Sequence, residues 1–226
     1  MIRMFGDIDF MLKIALPQIL QQQIPIESMQ NYINSLEEEE EVKNIHLENH
    51  EAEGIDFNKQ DFSGSILEKC VFIKCDFEKA SFIDMRFNQC DFSNSNFSES
   101  YWNRCEFYHC KFLGSDFHNA VIKNLKMVDC NMQYVNFNGS YFEQVGMTQS
   151  DLTDAFLSEI KYKKWEAIDT KFIGTNFFHT PLHNFDFSQC DFAEPIISDT
   201  MQELVGIQIA PAQALEIVKL LKIKVK

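Results

Sequence analysis

The side chains best able to do chemistry in this sequence are its seven cysteines and six histidines. Cys70, Cys90, Cys110 and Cys130 recur every twenty residues, and His46 and His50 stand in an HxxxH spacing beside acids. Thiolates and imidazoles ligate zinc, and thiols do redox chemistry, so a metal or redox ladder is the chemistry these positions suggest. Their spacing argues against it. No CxxC pair occurs, and C-x4-C recurs only because the whole chain repeats every five residues. The HxxxH pair would share a face if helical, but it leads into that repeat and reads as extended chain. His109, His118, His179 and His183 occupy outward repeat positions, where solvated side chains are the default. A Walker loop, GxGxxG, a nucleophile elbow and HExxH are absent. The sequence therefore predicts no enzyme, no metal and no cofactor, and each cysteine reads as a small core residue.

The element that positions these residues is a pentad. Every fifth residue from Phe57 to Ile207 gives 31 positions, of which 17 are Phe; only Ala167 and Gln202 break the large apolar pattern. Two residues before each centre runs a second series, Ile55 to Val205, where 20 of 31 residues are Ser, Thr, Ala or Cys. All seven cysteines fall in it. Neither a helix nor a strand has a period of five, so the unit is a short extended piece plus a turn. Asp, Asn, Ser, Lys and Gly fill the remaining positions, as solvent-facing turns require. Each pentad offers two inward residues and three outward ones. The weakest stretch is Tyr162 to Asp169, with Trp165 in a small slot and Ala167 at a centre. An outward bulge and an ordinary degenerate coil both fit it.

The flanks differ from the repeat. Ile26, Met29, Tyr32, Ile33 and Leu36 recur at helical spacing, which predicts a helix from about Pro25 to Glu40 over the first open end. The acidic run Glu37 to Glu41 reads as solvated face or linker. After Ala210-Pro211, Leu215, Val218 and Leu221 give a second helix its apolar stripe, and Ile223 and Val225 alternate with lysines as in a short strand. Apolar surface beyond what a cap needs would make a homodimer interface of these five residues. Thirty-four acids against 20 Lys and Arg give a net charge of −14. That balance disfavours nucleic acid and anionic membranes and favours basic partners. The start of the chain lacks a signal-peptide layout, and no apolar run is long enough to span a bilayer. Seven cysteines suit reduced thiols in a cytoplasm.

The pentads DFSGS, DFEKA, DFSNS, NFSES and DLTDA resemble the pentapeptide-repeat family, whose motif is approximately A(D/N)LXX. The resemblance covers about residues 45–209. It implies an all-β solenoid, a right-handed quadrilateral β-helix of about eight coils in which residues twenty apart stack. Residues 1–44 then form a partly helical extension, and 210–226 a dimerisation helix and strand. It also implies an aromatic ladder, with Phe57, Phe77, Phe97 and Phe117 in one column and Phe72, Phe92 and Phe112 in another. Sorted onto four faces, the acids are uneven. Asp56, Asp76, Glu78, Glu99 and Asp116 lie on the Phe77 face, and Asp91, Asp151 and Asp154 on the Phe92 face. The face of Phe62, Phe82 and Trp102 is slightly basic. Within the family the chain resembles the Qnr-type quinolone-resistance proteins and mycobacterial MfpA, above all in GIQIAPAQALEIVKLLKIKV, the layout of the Qnr terminus. That similarity implies a cytoplasmic dimer that imitates DNA. Its acidic faces would bind DNA gyrase or topoisomerase IV and protect it from fluoroquinolones, without binding nucleic acid. The alternative is a scaffolding repeat protein with an unrelated partner. The unbroken pentad register leaves no room for the loops that enterobacterial Qnr proteins carry, and the 44-residue extension is not typical of them.

Overall fold

The computed structural model describes residues 12–36 and 40–224. Parallel ladders at an offset of twenty run through it. Tyr101–Tyr108 pairs with Val121–Val128, that with Tyr141–Thr148, and that with Lys161–Ile168. Bridges such as Asp76↔Asn96 and Asp91↔Lys111 hold the other two faces. The result is a β-solenoid of about eight turns. At the roughly 4.8 Å spacing of adjacent strands, the rod is about 40 Å long.

Almost every pentad turns its corner through one residue with positive φ, two after the centre: Lys79 (59°), Asn94 (59°), Glu99 (56°) and Asn119 (57°) among many. Between Asn44 and Glu194 no Val, Ile or Thr stands at this slot, because a β-branched side chain is strained there.

The interior is a filled stack. Phe57, Phe77, Phe97 and Phe117 lie with ring centroids 4.7 to 4.9 Å apart. Phe72, Phe92 and Phe112 stack at 5.5 and 5.3 Å. Neighbouring columns meet edge to face, as Phe107 does with Phe112 at 5.0 Å, the arrangement ring quadrupoles favour. The segment Tyr162 to Asp169 does not bulge. Its strand pairs in register, and Trp165 and Ala167 are both buried, the large residue in the small slot facing the small residue in the large one.

The pentad register slips once. Up to Ile196 each coil bonds its neighbour at the usual offsets, apart from Asp169 N–H, which reaches Gln189 O one residue beyond, but then Leu182 N–H reaches Glu203 O and Phe187 N–H reaches Gln208 O. Both are two residues further along than elsewhere. Two extra residues between Ile196 and Glu203 therefore put Leu204 and Ile209, not Gln202 and Ile207, at the last centres. The expected break at Gln202 thus disappears.

Both ends are covered. Ile24–Ile26 adds a parallel strand to Ile45–Leu47, and the helix Met29–Ser35, capped by the Ser28 side chain, buries Met29. This helix is shorter than the one expected from about Pro25 to Glu40, since Pro25 belongs to the strand and Leu36 is already extended. Part of the acidic run, 37–39, lies outside the described residues. Residues 12–18 form a strap along one corner. Leu12 N–H bonds Glu166 Oε2, Gln144 Nε2 bonds Lys13 O, and Gln18 N–H bonds Asp84 Oδ1. Six extended residues span about 20 Å, which matches the roughly four coils from Glu166 to Asp84. At the far end the shifted register would bring Gln213 N–H to Cys190 O, but that N–H bonds Ala210 O, and the Gln213 side-chain amide takes Cys190 O instead at 2.6 Å. The helix Ala214–Leu220 follows. Residues 221–224 form no strand, and Val225 lies outside the described residues.

Candidate partner-binding surface

The inner slots leave the cysteines no reactive role. All seven are buried and unpaired in disulfides. Cys70, Cys90, Cys105 and Cys190 each donate to the carbonyl 23 residues back, at 3.4 Å. Ser95, Ser115, Ser140, Thr175 and Thr180 make the same bond from the same slot. Burial pushes the thiols of Cys105 and Cys130 up to about 12 and that of Cys190 to about 11, so they stay protonated. The slot selects small donors, and cysteine is serine's substitute there. Among the described residues no group of three or more His, Cys, Asp or Glu is placed to hold a metal. His46 stands in a strand and bonds Glu68 at 3.0 Å.

The acids singled out on the Phe77 and Phe92 faces divide by what their oxygens do. Five of the eight accept the backbone N–H two residues on: Asp56 from Asn58, Asp76 from Glu78, Asp91 from Ser93, Asp116 from His118 and Asp151 from Thr153. This is the Asx turn, and Asn96, Asn131, Asn136 and Asn176 serve it equally well. Asp76 and Asp116 also accept from Asn96 and Asn136 of the next coil, both at 3.0 Å. Asp151 is desolvated, yet bonds from Thr153 and Lys171 hold its carboxyl below the ordinary value. Glu78 pairs with Lys79, and Glu99 lies 3.6 Å from the same ammonium. Asp154 is exposed at a corner.

Axial ion pairs tie other coils together. Arg104 grips Asp84 through two nitrogens at 2.6 and 2.7 Å, and Arg86 reaches the buried Glu106 at 3.0 Å. Glu143 lies between Lys123 and Lys163 on the slightly basic face. A shallow groove of about 360 Å³, lined by His109, Asp129, Gln149, Asp151, Asp169 and Lys171, follows one corner. Residues 45–209 carry 25 acids and 13 bases, a net of −12, and of the acids Glu106 and Glu203 are buried. At the C-terminal end Leu215, Leu221 and Ile223 are exposed, while Val218 is half-buried.

The sequence reading missed Glu203. The register slip leaves His179 N–H without the carbonyl its neighbours use, and the buried Glu203 carboxylate accepts it at 2.9 Å, along with Ser198 N–H and Oγ. Burial acts to raise its pKa, but these bonds outweigh it and hold the group below its usual range.

Two family models match the chain: a pentapeptide repeat region at residues 100–167, and pentapeptide repeats (8 copies) at residues 56–94. No curated protein matches. Among solved structures the chain is similar to full-length QnrB1, a plasmid-mediated fluoroquinolone resistance protein. The identity is 20%, over 88% of this chain and 95% of that one, with a TM-score of 0.49. It is also similar to HetL, a pentapeptide repeat protein involved in heterocyst differentiation regulation from the cyanobacterium Nostoc sp. strain PCC 7120. There the identity is 13%, over 74% and 77% of the two chains, with a TM-score of 0.35.

Proposed function

We propose that this pentapeptide-repeat protein, whose described residues form a rod filled by its own side chains, works by surface mimicry: it binds DNA gyrase or topoisomerase IV in place of DNA and protects the enzyme from fluoroquinolones. The observation that carries this reading is the charge of the solenoid, a net of −12 over residues 45–209, ordered by the coil repeat onto a narrow rod. We place the protein in the cytoplasm as a dimer joined through Leu215, Val218, Leu221, Ile223 and Val225. Among the described residues no helix is long and apolar enough to cross a membrane. A specific observation favours a second reading, a scaffold for an unrelated partner: most of the candidate acids are engaged in their own turns and ion pairs.

Binding of purified gyrase, and protection of its supercoiling from a fluoroquinolone, distinguish the two. The variant Asp76→Asn, Glu78→Gln, Asp116→Asn removes three charges from the Phe77 face and keeps the turn acceptors. It should weaken both activities more than equal neutralisation at Asp61, Asp169 and Asp186 on other faces. Salt should weaken the wild-type complex, since exposed charges are screened over about 8 Å at physiological ionic strength. No gyrase binding by the unmodified protein leaves the scaffold reading. Light scattering on Leu215→Lys, Leu221→Lys tests the dimer; both side chains are more than half exposed, so the fold should survive.

A further inference from the structure

Five large apolar side chains stand exposed on the rod between Leu113 and Ile196, and they form one oblique band. Leu113, Tyr134, Phe156 and Phe178 each lie one coil up and one or two residues along from the last, and Ile196 sits on the next coil beside them. Their exposures run from 37 to 54%. At about 200 Å² per side chain the band presents roughly 400 Å², in the range where an exposed apolar patch on a monomer is often functional.

The band breaks the rules of its own repeat. Phe156 and Ile196 occupy the column of Asp76, Asn96, Asp116, Asn136 and Asn176, whose side chains cap the turn. Neither can do so. Ser158 N–H turns instead to Asn138 Oδ1 of the coil below, at 2.8 Å, and Ser198 N–H to Glu203. Phe178 stands in the column of Ser98, Ser158 and Ser198 and stacks on His179 at 3.9 Å. A local rule broken and then compensated marks a position kept for something other than folding.

The rim has one sign. In the arcs 113–119, 133–139, 153–159, 173–179 and 193–199 the charged residues are Asp116, Asp154, Glu159, Glu194 and Asp199, with no Lys or Arg. We propose that this band is a docking site for a cationic amphipathic helix of a partner protein, whose apolar stripe covers Tyr134, Phe156 and Phe178 while its lysines or arginines meet the acidic rim. The area is about half of the roughly 800 Å² per partner of a standard interface, which suits one helix and not a second globular face. The band is about 20 Å long, close to four helical turns. This site does not depend on the topoisomerase reading.

The probe is a Leu/Lys amphipathic helical peptide of about 18 residues, with a control of identical composition shuffled to remove the apolar face. Fluorescence anisotropy should show tighter binding of the amphipathic peptide. Phe156→Asn, Phe178→Ser installs residues its own columns already use and leaves the charge unchanged. It should weaken binding at least about tenfold, as loss of aromatic anchors does, without lowering the melting temperature. Tyr134→Asn, at the most exposed position, should weaken it as well, and Asp154→Asn, Glu159→Gln should flatten its salt dependence. Equal binding of both peptides, or unchanged binding by the Phe156/Phe178 variant, overturns the proposal. So does a collapse of its melting temperature, which would make these rings packing residues, or a shift in self-association, which would make the band a contact between copies.

Discussion

Asp116 separates the carboxylate as a charge from the carboxylate as a turn cap. Its Oδ1 accepts His118 N–H and Asn136 Nδ2, each at 3.0 Å, and its Oδ2 lies 2.9 Å from His118 Nδ1. Asp116→Ala leaves a backbone donor and an amide without their acceptor, an effect close to removing a helix N-cap, about 1–2 kcal/mol. Asp116→Asn keeps an acceptor at the same place, as Asn96, Asn136 and Asn176 do in this column, and should stay within about 0.5 kcal/mol of wild type. In a chain of this size 1 kcal/mol moves the midpoint by about 2–4 °C. The alanine variant should therefore melt roughly 3–6 °C lower and the asparagine variant within about 2 °C, by circular dichroism. If Asn falls as far as Ala, the negative charge and not the acceptor stabilises the turn. If Ala melts like wild type, the backbone alone sets the corner, and the Asx assignment is wrong at every coil.

Three further outcomes follow from the interior. Cys90→Ser with Cys110→Ser should cost less than the corresponding double alanine change, by about 1 kcal/mol per lost donor in guanidinium unfolding, because serine makes the slot's carbonyl bond and alanine cannot. Trp165→Val alone should leave a cavity and Ala167→Met alone should overpack, each at about 1–4 kcal/mol, whereas the double variant copies Val145 and Met147 of the coil below. A double-mutant cycle should show coupling of at least about 1 kcal/mol, and additivity would refute the size exchange. Glu203 has a folded-state pKa held below the ordinary glutamate value by its hydrogen bonds, so it stabilises the fold above that ordinary value and loses the contribution as pH falls through the folded pKa. The stability gap between wild type and Glu203→Gln should thus be widest near neutral pH and close below about pH 4.5; a gap independent of pH would contradict this.

The solenoid was legible because one constraint, filling the rod, acts on every fifth residue and on the residue two before it. The turn chemistry was present in the same letters but less visible. An Asp or Asn just before a centre, as at Asp76 or Asn96, looks like solvated surface until its oxygen is seen on the N–H two residues on. The register slip could not be read, because Gln202 at a centre looks like a weak coil, and only the pairing of Leu182 and Phe187 shows that Leu204 and Ile209 have replaced it. The strap was hidden for another reason. Residues 12–18 have no period of their own, and their partners, Glu166, Gln144 and Asp84, come from coils far apart in sequence. In the C-terminal segment the helical stripe carried the helix, but alternation at Ile223 was not enough for a strand, since an isolated strand needs a neighbour to bond.

The two halves of the rod differ in how their inner slots are filled, and this bears on where function sits. From Phe57 to Phe117 every centre but Leu67 is aromatic, the rings stack face to face along their columns, and the slots two before them are mostly small. Along the Phe87 face the balance then shifts, through Leu125 with Met127, Val145 with Met147 and Trp165 with Ala167, to Phe185 with Phe187. That last pair puts two rings on one side, 4.5 Å apart, with Trp165 packed 4.6 Å from Phe185. The coil responds locally: Gln189 loses the positive φ of its slot, and Asp169 N–H bonds Gln189 O, one residue beyond the usual partner. The register slip before Glu203 comes within the next coil. Three of the exposed apolar residues, Phe156, Phe178 and Ile196, lie on these same coils, as does the carboxylate that compensates for Ser198 and His179. The regular half provides a rigid column, and departures from the repeat gather in the other. A surface specialised for one partner is therefore to be sought between Tyr134 and Glu203, where the sequence departs from what the fold alone requires.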